Sequence, residues 1–192
     1  MIMKKYLTIS LLLFVISSMT FAQKVKITTH LGDIVVQLEP EKAPVTSANF
    51  LKYVEGNHYK GGSFFRTVRS DNQPDSPVKI TVIQAGVHPW MQNFLFDPIP
   101  LERTNNTGIK HKNGTISMAR DTPDSAQESF FICLDNQPEL DFGGKRNPDG
   151  QGFAAFGQVI DGMEVVQEIN ESYAEGQAIM PPILILGMVV LE

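Results

Sequence analysis

Short runs of β-branched and other apolar residues, separated by turn-forming residues, dominate the chain. The first two runs, residues 25–29 and 34–38, alternate in part and are joined by His30-Leu31-Gly32-Asp33, which predicts a β-hairpin. Six further runs have the composition of strands: residues 59–68, 79–84, 115–120, 129–134, 153–160 and 183–191. Such a series of short strands with turn signals is typical of a closed antiparallel barrel or a sandwich.

Two segments change to a helical period. In residues 40–56, Pro44 suits a first helical turn and Gly56-Asn57 a helix end. One apolar face is predicted from Val45, Ala48, Leu51 and Val54, and Phe50 widens it. A second, shorter helix is predicted after Asp161-Gly162, with Met163, Val166 and Ile169 on one face. Both helices are interpreted as structural elements that cover the sheet.

The first 22 residues have the pattern of a secretory signal peptide. Lys4-Lys5 precede an apolar run over residues 7–16, and small residues lead to a predicted cleavage after Ala22. The apolar run is shorter than the roughly 20 residues of a membrane span. We therefore expect one domain over residues 23–192, exported to the periplasm or secreted, without a membrane anchor after cleavage.

Charge and composition exclude several classes of function. Loss of Lys4 and Lys5 takes the formal charge from −5 to −7, which argues against nucleic acid and anionic membranes as partners. The single cysteine, Cys133, allows no intramolecular disulfide, and its apolar neighbours indicate a buried, inert thiol. The four histidines are scattered without metal-ligand spacing, so we expect no metal and no cofactor.

Two short runs carry the candidate chemistry. Residues 59–66 end in Phe64-Phe65-Arg66, and residues 83–86 contain Gln84, so each run places a hydrogen-bond donor beside apolar residues. Neither run contains a nucleophile dyad, a metal cluster or a phosphate-binding loop. An active site built here would depend on a positioned cation and an apolar pocket.

These runs belong to a longer, collinear set of motifs that resembles the cyclophilins, a family of peptidyl-prolyl cis-trans isomerases. The resemblance covers nearly all of the chain after residue 22. It implies a mainly β fold, an eight-stranded antiparallel β-barrel capped by two α-helices. The motifs are Leu31-Gly32-Asp33-Ile34, Ala43-Pro44-Val45-Thr46 with Asn49-Phe50, Tyr59 to Arg66, Ile83-Gln84-Ala85-Gly86, Gly114 to Arg120, Ser129 to Ile132, and Phe156 to Met163.

The resemblance also implies roles for individual residues. Arg66 corresponds to the catalytic cation and Gln84 to the donor that holds a substrate carbonyl, while Phe131 corresponds to the floor of the proline pocket. Val82 and Leu140 match apolar walls, and Ala119 and Arg120 match backbone that pairs with the substrate. The remaining positions expected around the substrate are Phe64, Thr81, Ser129 and Phe153.

The sequence departs from the family pattern around this site. The spacing from Arg66 to Gln84 is longer than usual, and a polar loop over residues 69–77 takes up the difference. Residues that the family usually has at five positions are replaced, by Phe65, Thr81, Ser129, Glu139 and Phe153.

Two classes of function therefore remain possible, and both would act on the same partners. The first is an isomerase that acts on X-Pro bonds of exported proteins as they fold. The alternative is a catalytically weak chaperone or scaffold that binds X-Pro segments on the same fold. A ligand-carrying barrel of lipocalin type would need an open interior, which the many Phe, Ile and Val residues disfavour. We expect a monomer that binds proline-containing segments of unfolded or folding proteins.

Overall fold

Eight antiparallel strands close into a barrel in the computed structural model, which describes residues 23–191. The barrel order is β1-β2-β7-β5-β6-β4-β3-β9, and β9 pairs with β1 to close it, while β8 pairs with β9 alone. The predicted barrel is confirmed; the predicted signal peptide lies outside the described residues. The strands are β1 (Lys24–Thr29), β2 (Asp33–Leu38), β3 (Ser63–Val68), β4 (Val82–Gly86), β5 (Thr115–Met118), β6 (Phe130–Cys133), β7 (Ala154–Asp161), β8 (Ala174–Glu175) and β9 (Ala178–Leu191).

Both predicted helices are present, as α1 (Pro44–Glu55) and α3 (Met163–Glu171). The long connection after β4 adds a 3-10 helix (Pro89–Phe94) and the four-residue α2 (Thr104–Thr107), and a second 3-10 helix covers Pro138–Leu140. The predicted apolar face of α1 was wrong at its start, because Val45 and Ala48 are exposed. A strict three-residue spacing drifts around a helix of 3.6 residues per turn, so the buried face begins at Ser47 and continues through Phe50, Leu51 and Val54, which are buried as predicted.

Side chains fill the barrel interior. Alternate residues of β1 and β2 point inward and are buried, as the period of a strand requires. At the α1 end, the ring of Phe50 packs on those of Tyr59, Phe130 and Phe156 at centroid distances of 5.2–5.5 Å. This aromatic packing occupies the space that a ligand-carrying barrel would need, in agreement with the filled interior expected from the sequence.

A second, smaller apolar cluster lies on the opposite face of β4 and β6. Phe130 and Ile132 point into the barrel, whereas Phe131 and Cys133 point outward and pack with residues of β3, β4 and the loops. Cys133 is buried, as predicted, and burial raises the pKa of its thiol well above the ordinary value. This outward cluster consists of Val68, Ile80, Val82, Phe131, Cys133 and Leu140. It supplies the apolar surface on which the candidate site is built.

Candidate active site

Most of the predicted site residues line one pocket on the outer face of β3, β4 and β6. The pocket has a volume of about 390 Å³. The structure brings together there Arg66, Val82, Gln84, Ala119, Arg120, Ser129, Phe131, Leu140 and Phe153. The pocket also contains residues that the sequence did not single out, namely Ile80, Asp121, Ser125, Gln127, Glu128, Arg146 and Asn147.

Two predicted substrate contacts lie elsewhere. Phe64 is completely buried in the barrel core, where its ring meets Phe130 edge-on, so it is removed from the list of substrate contacts. Simple alternation would place it on the same face as Arg66, but a β-bulge between the two residues reverses its direction. Thr81 precedes β4 and does not line the pocket, whereas its neighbours Ile80 and Val82 do.

The guanidinium group of Arg66 is held on two sides. Its Nε and Nη2 both donate to Oε1 of Gln177, at 2.9 and 2.6 Å, and its Nη1 donates to Oε1 of Gln84 at 2.8 Å. Burial, and then repulsion from Arg146, lower the pKa of Arg66, although an arginine remains protonated at neutral pH. Since a guanidinium has five N–H donors, two are left for a substrate.

Gln84 lies opposite Arg66 in the β3–β4 pairing and is itself fixed. Its Oε1 accepts from Arg66, and its Nε2 donates to Oγ of Ser129 at 3.0 Å. The Ser129 hydroxyl in turn donates to the carbonyl of Ala85 at 3.0 Å. This chain of hydrogen bonds sets the orientation of the amide and leaves one Nε2 N–H for a substrate carbonyl.

The ring of Phe131 packs against two other aromatic rings, those of His111 and Phe153. It stacks on His111 with the centroids 5.9 Å apart and the planes 14° apart, and it meets Phe153 edge-on at 5.3 Å. Only 5% of Phe131 is exposed. The aromatic packing therefore fixes the orientation of Phe131 at the base of the pocket.

His111 is buried and belongs to a short hydrogen-bonded series. Its Nδ1 lies 2.8 Å from Oδ1 of Asp141 and its Nε2 lies 2.9 Å from Oγ of Ser117. A carboxylate only accepts, so Nδ1 carries the proton and the Ser117 hydroxyl donates to Nε2. Burial lowers the pKa of His111, and the hydrogen bond and charge of Asp141 offset only part of this fall. Burial therefore keeps the ring neutral. His111 had no predicted role, and no local pattern in the sequence indicates this contact.

The inserted loop over residues 69–77 lies beside the pocket and is tied to it by Arg146. Nη1 of Arg146 contacts Oε1 of Gln73 at 3.0 Å, Oγ of Ser76 at 2.6 Å and the carbonyl of Val78 at 2.6 Å. Arg146 also lines the pocket. On another side of the loop, Nε2 of Gln177 donates to the carbonyl of Asn72 at 3.2 Å. The insertion thus supports both Arg146 and the partner of Arg66.

The side chain of Arg120 forms its hydrogen bonds with other residues of the protein. It donates to both carboxylate oxygens of Asp149, at 2.8 and 3.0 Å, and to the carbonyl of Gly152. Its guanidinium carbon also lies 5.2 Å from the centroid of the Phe153 ring. These contacts leave the backbone of Arg120, and not its charge, for pairing with a substrate.

Residues 23–191 contain no group of three His, Cys, Asp or Glu side chains that could hold a metal ion. Within the same range, every helix is too short or too polar to cross a lipid bilayer.

Comparison with known proteins agrees with the fold. Residues 24–190 match the family model of cyclophilin type peptidyl-prolyl cis-trans isomerase/CLD. Peptidyl-prolyl cis-trans isomerase A of Dickeya dadantii is 33% identical over 157 residues, which cover 81% of this chain and 75% of that protein. Peptidyl-prolyl cis-trans isomerase B of Escherichia coli is 33% identical over 143 residues, which cover 74% of this chain and 80% of that protein.

A solved structure shows the same fold. The cyclophilin type isomerase of Cryptosporidium parvum superposes with a TM-score of 0.70 at 22% identity, covering 90% of this chain and 99% of that one. The crystal structure of that protein in the presence of the dipeptide Ala-Pro gives a TM-score of 0.69. The chain belongs to the cyclophilin-type peptidyl-prolyl cis-trans isomerase family.

Proposed function

We propose that Arg66 is the catalytic residue of this isomerase. Rotation about a peptide bond is opposed by resonance, with a barrier of about 18–20 kcal/mol. In the twisted transition state the prolyl nitrogen becomes pyramidal and recovers its lone pair, so it accepts a hydrogen bond that it accepts poorly in the planar ground state. A guanidinium donor aimed at this nitrogen therefore stabilises the transition state more than the substrate.

The observation that carries this proposal is the placement of Arg66. Its guanidinium is held by Gln84 and Gln177, keeps two free N–H groups and lines the same pocket as Phe131. A donor that is fixed before the substrate binds needs little reorganisation during the reaction. Arginine suits this role because its planar group makes several hydrogen bonds at once without losing its charge.

The other pocket residues bind different parts of the substrate. Phe131, Val82 and Leu140 offer a buried apolar surface for the proline ring. The free N–H of Gln84 holds a neighbouring carbonyl, so one side of the rotating bond stays still while the other side turns. No bond is broken in this reaction, which is why the site requires neither a nucleophile nor a general base.

We propose further that the substrates are X-Pro segments of exported proteins and that the protein acts as a monomer. The support for export is the charged and then apolar pattern of the first 22 residues, with small residues before the predicted cleavage. Separation of periplasmic, membrane and cytoplasmic fractions, with N-terminal sequencing of the product, tests this part. A mature protein that begins at Gln23 outside the cytoplasm is expected, and a full-length cytoplasmic protein would overturn it.

A protease-coupled assay with an X-Pro peptide tests the activity. Wild-type protein is expected to accelerate the cis-to-trans step in proportion to its concentration. Binding of the peptide without any acceleration would replace the isomerase by the X-Pro-binding chaperone or scaffold.

A further inference from the structure

Arg146 presents one edge of its guanidinium group without a partner. Its Nη1 makes the contacts to Oε1 of Gln73, Oγ of Ser76 and the carbonyl of Val78 in the inserted loop. Its Nε and Nη2 form no hydrogen bond with residues 23–191, and no carboxylate in that range forms an ion pair with Arg146. Since Nε carries one N–H and Nη2 carries two, three N–H groups are available.

This free edge is open to solvent. In the described part of the chain, the fully buried side-chain atoms without a hydrogen-bond partner are Oγ of Ser47, Nδ1 of His58 and Oε2 of Glu128, so Nε and Nη2 of Arg146 are accessible. The side chain is half-buried and lines the pocket. In a planar guanidinium, Nε and Nη2 form the edge opposite Nη1. Because Nη1 contacts the inserted loop, the free edge points away from that loop.

The chemistry of this edge favours a carboxylate. Nε and Nη2 offer two parallel N–H groups, which match the two oxygens of a carboxylate. In the other two arginines that line the pocket, the same edge is occupied. Oε1 of Gln177 accepts from this edge of Arg66, and the carbonyl of Gly152 accepts from this edge of Arg120. Among the described arginines of the pocket, Arg146 is thus the one whose edge can receive a ligand.

The charges around Arg146 also favour an anion. Burial lowers the pKa of Arg146, and burial followed by repulsion from Arg146 lowers the pKa of Arg66, so the two cations lie near one another. The two carboxylates that line the pocket, Asp121 and Glu128, form no ion pair with either arginine. A partly buried cation without a counter-ion is costly, and an anion bound at Arg146 offsets both that cost and the repulsion.

The free edge lies close to the proposed proline pocket. The backbone N–H of Arg146 donates to the carbonyl of Glu139 at 3.1 Å, and Glu139 directly precedes Leu140. The carbonyl of Val78, which Nη1 contacts, is two residues before Ile80. Leu140 and Ile80 both line the pocket. Because an extended peptide advances about 3.3 Å per residue, a side chain one or two residues from the proline reaches this region.

We propose that Arg146 makes this isomerase selective for X-Pro segments that carry a carboxylate within about two residues of the proline. The carboxylate is the side chain of an aspartate or glutamate, or the end of the substrate chain. It accepts from Nε and Nη2 of Arg146 while Arg66 faces the prolyl nitrogen. The inserted loop contributes to this choice of substrate, since it fixes Nη1. The proposal rests on the proposed function, because Arg66 and the proline pocket set the position of the peptide.

A set of proline peptides tests the proposal. In an otherwise Ala-based peptide with one proline, glutamate, glutamine or lysine is placed in turn at each of the two positions on either side of the proline. Both kcat/KM for isomerisation and the dissociation constant from NMR titration are measured. With wild-type protein, glutamate at one position is expected to exceed glutamine there by about three- to tenfold, and lysine to fall below both. The formal charge of −5 would by itself favour lysine, so a preference for glutamate reports a local contact.

A second set of peptides distinguishes a side-chain carboxylate from the end of the chain. These peptides stop at the proline or one residue after it, with either a free carboxylate or an amide at the end. A gain for the free carboxylate alone assigns the contact to chain ends, and a gain for glutamate alone assigns it to acidic side chains. If neither carboxylate exceeds its neutral counterpart, the proposal is overturned.

The variants Arg146→Met and Lys145→Met separate the free edge from the general charge of the protein. Each removes one positive charge, but Lys145 is exposed and does not line the pocket. Arg146→Met is expected to reduce the glutamate-to-glutamine ratio to about one, whereas Lys145→Met keeps the wild-type ratio. Arg146→Lys keeps the charge without the donor pair, so it is expected to keep part of the preference. Equal loss in Arg146→Lys and Arg146→Met would assign the effect to the loop and overturn the proposal, as would equal ratios in wild type and Arg146→Met.

Two further results keep the test independent of folding and of catalysis. If Arg146→Met does not fold, the absence of a carboxylate preference in wild type would alone overturn the proposal. If wild type binds the peptides but accelerates none, the proposed catalytic function fails. The ranking of dissociation constants then still supports or contradicts the role of Arg146.

Discussion

Gln177 holds Arg66 although 111 residues separate them in the sequence. One oxygen, Oε1 of Gln177, accepts hydrogen bonds from both Nε and Nη2 of Arg66, at 2.9 and 2.6 Å. Gln177 follows the short strand β8, which pairs with the start of β9 next to β3. The guanidinium of Arg66 is therefore oriented by the turn between β8 and β9.

We predict that Gln177 is a positioning residue. Gln177→Leu removes the acceptor of Nε and Nη2 and leaves Arg66 held through Nη1 by Gln84, so its orientation is less restricted. The value of kcat/KM is then expected to fall by about ten- to a hundredfold, mainly in kcat. Gln177→Glu keeps an acceptor oxygen and is expected to recover most of the activity. Steady-state kinetics of both variants provide the measurement, and wild-type kcat/KM in Gln177→Leu would contradict the prediction.

The inserted loop is predicted to depend on Arg146. Arg146→Met removes the contacts to Gln73, Ser76 and Val78, so backbone amides over residues 69–80 are expected to exchange hydrogen for deuterium faster. Mass spectrometry of peptide fragments measures this exchange. The control is Lys145→Met, which alters an exposed neighbouring cation and is expected to leave the exchange as it is. Equal protection of the loop in both variants would contradict the prediction.

Phe131 is predicted to matter for both stability and activity. Phe131→Ala opens a cavity between His111 and Phe153, so the free energy of unfolding is expected to fall by about 3–5 kcal/mol. Since Phe131 is the proposed floor of the proline pocket, kcat/KM is also expected to fall in the protein that remains folded. Chemical denaturation measures the first effect. Phe94→Ala, at a ring that is 62% exposed, is the control and is expected to change stability by less than about 0.5 kcal/mol.

The buried His111 predicts a loss of stability in mild acid. An unfolded histidine takes up a proton near pH 6.5, whereas burial lowers the pKa of His111 in the folded protein. The unfolded state therefore binds more protons below about pH 6.5, so this part of the stability is present above that pH and is lost as the pH falls toward the folded pKa.

Denaturation curves between pH 7.5 and 5 measure this dependence. In His111→Gln the contribution of His111 to the slope is expected to disappear, while His30→Gln, at an exposed turn, keeps the wild-type slope. Asp141 contributes separately. Burial raises the pKa of its carboxyl, but the hydrogen bonds from His111 and the nearby charge of Lys110 lower it on balance, so its stability is lost only at lower pH, below about 3.9. An identical slope in His111→Gln and wild type would contradict the account.

Local pattern was sufficient for most of the barrel and for the central pair of the site. The alternation of β-branched residues marked the β1–β2 hairpin, and the motifs around Arg66 and Gln84 marked β3 and β4, which pair with these two residues opposite each other. Both signals come from residues close together in sequence. They predict strands well because the period of a strand is itself local.

Contacts between segments that are distant in the chain could not be predicted from the sequence. Gln177 and Glu128 lie in polar stretches that look like ordinary turns and loops, and only the closed barrel brings Gln177 to Arg66 and Glu128 to the pocket. The N-terminus of α1 is capped by Glu102, whose carboxylate accepts from the backbone N–H groups of Val45 and Thr46 at 3.1 and 2.7 Å. The error at Phe64 has the same origin, because the bulge beside it has no local signature.

The catalytic role of Arg66 is the central claim, and NMR exchange spectroscopy of an X-Pro peptide tests it most directly. The measurement compares the catalysed cis–trans rate for wild type, Arg66→Lys and Arg66→Ala, with thermal unfolding as the check that each variant is folded. Arg66→Ala is expected to lose about a hundredfold or more in rate. Arg66→Lys is expected to recover little, since an ammonium cannot bind Gln84 and Gln177 and still reach the nitrogen as a guanidinium does. A folded Arg66→Ala protein with the wild-type rate would contradict the account.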